Sequence, residues 1–170
     1  MRAVVTGAAG FIGSHLCERL LEDGWDVVGV DNFNDFYDPQ VKRANICECM
    51  EHESFRLVEA DIRDAQAMHA AVTRDTDVIV HLAAMAGVRP SIDEPLLYSD
   101  VNVNGTLVML EAARKAEVAK FIFASSSSVY GNNEKVPFSE DDNVDFPISP
   151  YAATKKACEL ICHTYHALYD

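Results

Sequence analysis

Ala3-Val4-Val5-Thr6-Gly7-Ala8-Ala9-Gly10-Phe11-Ile12-Gly13-Ser14-His15 is the stretch that decides the fold. A short apolar run passes directly into three glycines spaced G-x-x-G-x-x-G. From Phe11 the apolar positions Ile12, Leu16, Leu20 and Leu21 recur as on one helix face, up to Gly24, a natural residue for ending a helix. A buried strand that feeds a glycine-rich turn and then a helix gathers backbone N–H groups and the positive end of a helix dipole at one point, where a pyrophosphate can bind. Gly7, Gly10 and Gly13 are therefore candidate cofactor-binding residues, with Phe11 and Ile12 at the helix start.

The same alternation continues outward. Trp25 to Asp31 reads as a second strand, Phe55 to Asp61 as a third, Asp64 to Arg74 as a helix, and Asp77 to Ala83 as a fourth strand. Pro95 to Ala116 reads as one long helix, Lys120 to Ser125 as a fifth strand, and Pro150 to about Leu168 as the last helix. Strands apolar on both faces and separated by helices predict an α/β fold, a doubly wound, Rossmann-like parallel sheet of order 3-2-1-4-5 with ligands at the carboxyl ends of its strands. Asn32 to about Ser54 and Asn132 to Ser149 read as long loops on that edge.

Strand 2 ends in Asp31, whose carboxylate can accept hydrogen bonds from adenosine ribose hydroxyls. Asn32 and Phe33 follow instead of Arg or Lys, so no neighbouring cation is expected to neutralise a 2′-phosphate, and NAD is favoured over NADP. Asp61 and Ile62 after strand 3, and Leu82, Ala83 and Ala84 after strand 4, are expected to flank the adenine and the second ribose. Asn32, Ala86 and Asn102 complete the candidate cofactor lining. Asn102 either orients an active-site lysine or backbone, or is an asparagine satisfied in the core.

Composition narrows the rest. The chain has 170 residues, 49% of them apolar, with 14 Lys and Arg against 27 Asp and Glu and a net charge of −13. That profile fits one soluble domain spanning 1–170 and argues against nucleic acid or anionic lipid as a partner. There is no apolar run of the ~20 residues that span a bilayer, and Met1-Arg2 leads straight into a strand, so a cytoplasmic location is expected. Cys17, Cys47, Cys49, Cys158 and Cys162 read as reduced thiols. Cys158, Cys162 and His166 share a helix face, yet no metal is expected.

Tyr151-Ala-Ala-Thr-Lys155 sets a phenol and an ammonium at i and i+4, on a helix begun by Ser149 and Pro150. A neighbouring cation and an oxidised nicotinamide both favour the phenolate and bring a phenol of pKa ~10 toward service as a base. By itself the same spacing also suits a surface pair. Ser125 to Ser128 at the end of strand 5 supply hydroxyls that can relay a proton, or simply fill a turn.

With these motifs in order, the chain resembles the extended short-chain dehydrogenase/reductase family of NAD-dependent sugar-nucleotide epimerases and dehydratases, over essentially its whole length. Asp31-Asn-Phe-Asn-Asp-Phe-Tyr-Asp-Pro39 with Lys42 and Arg43, Ala86-Gly87-Val88-Arg89, Ser125 to Gly131, and Tyr151-Ala-Ala-Thr-Lys-Lys156 are most similar to the UDP-glucuronate 4-epimerase branch, with UDP-glucose 4-epimerases next. The resemblance implies 4-epimerisation of a UDP-sugar in nucleotide-sugar metabolism and polysaccharide biosynthesis. Tyr151 would be the base, Ser126 its aid, and Lys155 the group that holds the nicotinamide ribose and lowers the tyrosine pKa. Arg89, Ser127 and Ser128 would bind substrate, and the Pro95–Ala116 and Pro150–Leu168 helices would pair two subunits. Ser127 and Ser128 stand where the related 4,6-dehydratases carry an Asp-Glu pair. Met85 and Pro90 depart from the Gln and aromatic residue more usual in similar epimerases. Family enzymes are roughly twice as long, so the C-terminal substrate domain is expected to lie outside this chain, which alone would be an inactive fragment or a non-catalytic NAD-binding module.

Overall fold

The computed structural model describes residues 1–169. Strands β1 (Arg2–Thr6), β2 (Asp26–Asp31), β3 (Phe55–Glu59), β4 (Val78–His81) and β5 (Phe121–Phe123) form one parallel sheet of order β3-β2-β1-β4-β5, as expected from the sequence. β1 is central: its Val4 pairs with Val28 on one side and Ile79 on the other. Ala3, Val4 and Val5 are fully buried, which is why this strand is an unbroken apolar run and does not alternate with polar residues. Helices flank the sheet, giving the Rossmann-like arrangement.

The chain divides into two compact units. The first comprises Met1–Ala83 and Leu107–Ala124 and contains the sheet. In it, Val5, Ala8, Ala9, Cys17, Leu21, Val27, Phe33, Ile46 and Cys49 form a buried cluster that includes the inner face of α1 (Phe11–Glu22). The stretch from Asn32 to Ser54 is not the plain loop expected. It holds α2 (Pro39–Asn45) and α3 (Cys47–Met50). Asp38 caps α2 by accepting from the Gln40 amide, with Pro39 at the first helical position, a start signal that was legible in the sequence. Asp64 caps α4 (Ala65–Ala71) in the same way.

The second unit comprises Ala84–Thr106 and the chain from Ser125 on. The helix expected from Pro95 to Ala116 is continuous but not uniform. α6 (Pro95–Tyr98) passes into a π-helical stretch, Ser99–Asn104, and then into α7 (Gly105–Ala116). The extra residue per turn re-aims the side chains of this stretch, a feature that apolar periodicity does not announce. A further short helix, α5 (Val88–Asp93), was not anticipated. The last helix, α8 (Pro150–Tyr169), packs against α5, α6, the π-helical stretch and a 3₁₀ turn at Ser127–Tyr130. Among the described residues no helix is long and apolar enough to cross a membrane.

Two glycines fix the first turn. Gly7 has φ +70°, and a Cβ there would lie 2.9 Å from the Ala83 amide nitrogen. A Cβ at Gly13 would lie 2.1 Å from the Gly7 carbonyl oxygen and 2.9 Å from Ala8 Cα, all backbone that cannot swing aside. Gly13→Ala is therefore expected to lower the melting midpoint by roughly 5–10 °C. Thermal denaturation followed by circular dichroism checks this, and an unchanged midpoint would mean that the turn relaxes freely.

Candidate functional site

In the first unit the glycine turn hangs from the end of β2. The Gly7 and Ala8 amides both donate to the Val30 carbonyl, at 2.8 and 3.2 Å, and Gly10 N–H donates to the Gly7 carbonyl at 3.0 Å. Gly10 caps α1 without a side-chain acceptor, and the first turn contains no acid. Phe11 and Ile12 turn their side chains outward, 75% and 68% exposed. The helix start thus offers N–H groups and a positive dipole end with no side chain competing for them, and these residues fit a dinucleotide pyrophosphate.

Asp31 is buried at the end of β2. Its Oδ2 accepts from the Ala9 amide at 3.1 Å and its Oδ1 from the Phe33 amide at 2.8 Å, which ties the acid to the glycine turn. Each oxygen keeps a further lone pair for a ribose hydroxyl. The expectation of no adjacent cation is corrected here. Lys42, itself buried, brings Nζ to 3.8 Å from Asp31 Oδ1 and 5.1 Å from the centroid of the Tyr37 ring. The lysine arrives on α2, so looking only at the residues directly after Asp31 missed it.

Asn32 donates from Nδ2 to Asp61 at 3.1 Å, and Arg63 grips the same carboxylate through Nε at 2.9 Å and Nη2 at 2.7 Å. The guanidinium bonds, ahead of all other causes, hold Asp61 down from 3.8 to about 2. Ile62 is buried, while Leu82 and Ala83 are half-buried. Thr6 Oγ1 lies 2.7 Å from His81 Nδ1 and accepts from the Leu82 and Ala83 amides at 3.2 and 3.1 Å, locking the ends of β1 and β4 together.

In the second unit α8 carries the proton-transfer candidates. Ser149 caps it, accepting from the Ala152 amide at 3.1 Å. Tyr151 is half-buried, and the Lys155 ammonium lies 6.0 Å from the centroid of its ring. Lys155 is only 4% exposed, and burial brings its pKa down from 10.5 to about 8, with Cys158 opposing the shift. Asn102, buried in the π-helical stretch, accepts from the Met85 amide at 2.8 Å and donates to the Met85 carbonyl at 3.1 Å and to Thr154 Oγ1 at 3.0 Å. It therefore holds backbone and the residue next to Lys155. Its own carbonyl accepts from Thr106 Oγ1 at 2.6 Å and from the Cys158 thiol at 3.2 Å. The five cysteines are free thiols.

Ser126 precedes the 3₁₀ turn, accepts from the Ser128 amide at 3.2 Å and donates to Ser128 Oγ at 3.1 Å. Ser125 is engaged elsewhere, with Glu159 of α8. Ser127 is exposed, as are Arg89 on α5 and Ala86, while Ala84 is half-buried. The sequence reading overlooked Ser91 and Tyr98. Ser91 Oγ accepts from the Tyr151 amide at 3.1 Å, and the Tyr98 ring meets the Tyr151 ring edge-on at 6.3 Å. A tyrosine directly after Leu96 and Leu97, whose hydroxyl would need a partner if the ring were buried, was the available signal.

Lys155 makes stability depend on pH. Between about pH 8 and 10.5 the unfolded chain binds a proton that the folded chain lacks, so unfolding free energy rises with pH across that window. Below pH 8 both states are protonated and the cost of burying the ammonium is fully present. The rise attributable to this group is on the order of 3 kcal/mol. Urea denaturation at pH 7.5 and pH 10 is expected to give this difference in the wild type and to lose it in Lys155→Met. Parallel pH profiles for the two proteins would exclude a buried, depressed lysine.

The family model described as GDP-mannose 4,6 dehydratase matches residues 4–170. The chain is 46% identical over 167 residues to a UDP-glucuronate 4-epimerase of Thermodesulfobacterium geofontis, covering 98% of this chain and 51% of that protein. It is 48% identical over 169 residues to UDP-glucuronate 4-epimerase 3 of Arabidopsis thaliana, covering 98% and 39%. Among solved structures, the UDP-glucuronic acid 4-epimerase of Bacillus cereus in complex with UDP-glucuronic acid and NAD superposes with a TM-score of 0.92 at 39% identity, covering 99% of this chain and 53% of that one. The chain spans about half the length of the T. geofontis and B. cereus relatives. The family model covers nearly the whole chain, and the chain belongs to the GDP-mannose 4,6 dehydratase family.

Proposed function

We propose that this chain is the NAD-binding portion of a UDP-sugar 4-epimerase that converts UDP-glucuronate to UDP-galacturonate. The observation that carries the proposal is the pair on α8, a half-buried phenol at Tyr151 with the buried Lys155 ammonium 6.0 Å from its ring centroid. The UDP-glucuronate 4-epimerases among its relatives support the choice of sugar. Ser127 and Ser128 support epimerisation over 4,6-dehydration, because neither supplies the carboxyl chemistry needed to eliminate water.

Bound NAD would supply a reversible hydride acceptor for C4 of the sugar. In this reading the phosphates lie on the turn from Gly7 to Gly13, with Phe11 and Ile12 at its rim. Asp31 accepts from the adenosine ribose, and Asn32, Asp61 and Ile62 line the adenine. Leu82, Ala83, Ala84 and Ala86 would line the nicotinamide end; Asn102, expected among them, is buried and instead holds the Met85 backbone and Thr154. Tyr151, as phenolate, takes the proton of the 4-hydroxyl and later returns it, so no proton is gained or lost over a turnover. Ser126 Oγ relays that proton. Lys155 binds the second ribose, and its charge stabilises the phenolate. Arg89, Ser127 and Ser128 hold the sugar or its carboxylate.

The UDP-glucose 4-epimerases among the solved relatives make UDP-glucose the second substrate to test. The half-length match supports one other reading, a non-catalytic NAD-binding module. Calorimetric titration of the chain is expected to give at least about tenfold tighter binding of NAD⁺ than of NADP⁺, because the buried Asp31 carboxylate meets the 2′-position. Tighter NADP⁺ binding would overturn the cofactor assignment. In the gene product that contains this chain, UDP-glucuronate is expected to yield UDP-galacturonate, with turnover falling by about 100-fold or more in Tyr151→Phe. Absence of conversion favours the binding module, and full activity in Tyr151→Phe excludes the phenol as base.

We also propose a homodimer through α7 and α8. On α8, Leu160 and Leu168 are 56% and 65% exposed and Ile161 is half-buried; on α7, Leu107 and Val108 are half-buried. A cytoplasmic location belongs to the same proposal. Sedimentation velocity is expected to show a concentration-dependent dimer, and a monomer at all concentrations would remove the interface.

A further inference from the structure

The backbone from Met85 to Val88 is held by three buried side chains, and each of them also reaches α8. Asn102 binds both the amide and the carbonyl of Met85 and donates to Thr154. The Tyr98 hydroxyl donates to the Ala86 carbonyl while its ring stands edge-on to the Tyr151 ring, at an interplanar angle of 88°. Ser91 Oγ donates to the Val88 carbonyl at 2.6 Å and accepts from the Tyr151 amide at 3.1 Å. Ser91 and Tyr98 have no exposed surface, so neither bond has water as a substitute. Arg89 directly follows the clamped segment.

We infer that Ser91 and Tyr98 are positioning residues for the Tyr151 phenol. Ser91 sets the height of the Tyr151 backbone, and Tyr98 fixes the orientation of its ring, so that the segment bearing Arg89 and the helix bearing the phenol move as one piece. The Tyr151 amide belongs to the first turn of α8, where N–H groups lack helical acceptors, and a hydroxyl from α5 satisfies it beside the Ser149 cap. Burial, ahead of the nearby Glu94 and Tyr151, raises the pKa of the Tyr98 phenol above its usual range and keeps it a donor to Ala86. The inference rests on Tyr151 being the base of the proposed reaction.

The test does not depend on turnover. Tyrosine labelled with ¹³C at the ring carbon bearing the hydroxyl, incorporated in the chain and assigned with Tyr151→Phe, reports the titration of this one phenol. Ser91→Ala and Tyr98→Phe are each expected to lower its acid dissociation constant by about threefold or more, because the phenol drifts from Lys155, while Ser91→Thr restores the wild-type curve. In the gene product that contains this chain, both variants should lower kcat by about tenfold, leave NAD⁺ affinity within about twofold, and move the acid limb of the kcat profile to higher pH. An unaltered Tyr151 titration in folded Ser91→Ala and Tyr98→Phe would overturn the inference. If Ser91→Ala does not fold, Tyr98→Phe, which keeps the buried ring, decides alone. A Tyr151→Phe protein with full activity would sink the proposed reaction without altering the titration in the other variants, so the two failures are told apart.

Discussion

The backbones at Gly7 and Gly13 approach so closely that no side chain fits between them, and much of the first unit follows from that approach. With a Cβ at Gly13 barred by the Gly7 carbonyl, the turn can lie against the first turn of α1. The turn then hangs by two amides from the Val30 carbonyl and by a third from Asp31. The helix begins at a glycine that brings no acceptor of its own. A dipole end is thereby available in a chain whose net charge is strongly negative, because the field of a helix terminus acts over its first turn only.

Asp31 illustrates how one carboxylate takes several roles. It ties the glycine turn to β2, turns the chain at Phe33, and sits beside a buried ammonium. Lys42 moderates the charge that Asp31 would otherwise bury alone, and an unpaired buried carboxylate is costly. The pair also means that the local potential at the end of β2 is less negative than Asp31 alone suggests.

The second unit is organised around the first turns of α8. Its N-terminal amides are taken by Ser149 and Ser91, its threonine by Asn102, and its tyrosine ring by Tyr98. The π-helical stretch matters because it contains Asn102 and thereby supplies acceptors and donors to Met85, Thr154 and Cys158 at once. A buried polar network satisfied in this way favours a single arrangement of the helix that carries Tyr151 and Lys155.

Strand number, strand order, the glycine turn, the acid at the end of β2 and the start of α8 at Ser149 and Pro150 were all legible in the sequence, since each is written in local periodicity, spacing or capping chemistry. The α2 start was equally legible, in Asp38 and Pro39, but was read as part of a loop. Lys42 beside Asp31, Ser91 on an amide 60 positions away, and the edge-on meeting of Tyr98 and Tyr151 were not legible. Periodicity states which face of an element is apolar; it does not state which polar atom of a distant element will meet that face. Those pairings arise only when crossover connections and helix packing bring remote segments together, and they determine how buried Lys155 is and what holds Tyr151 in place.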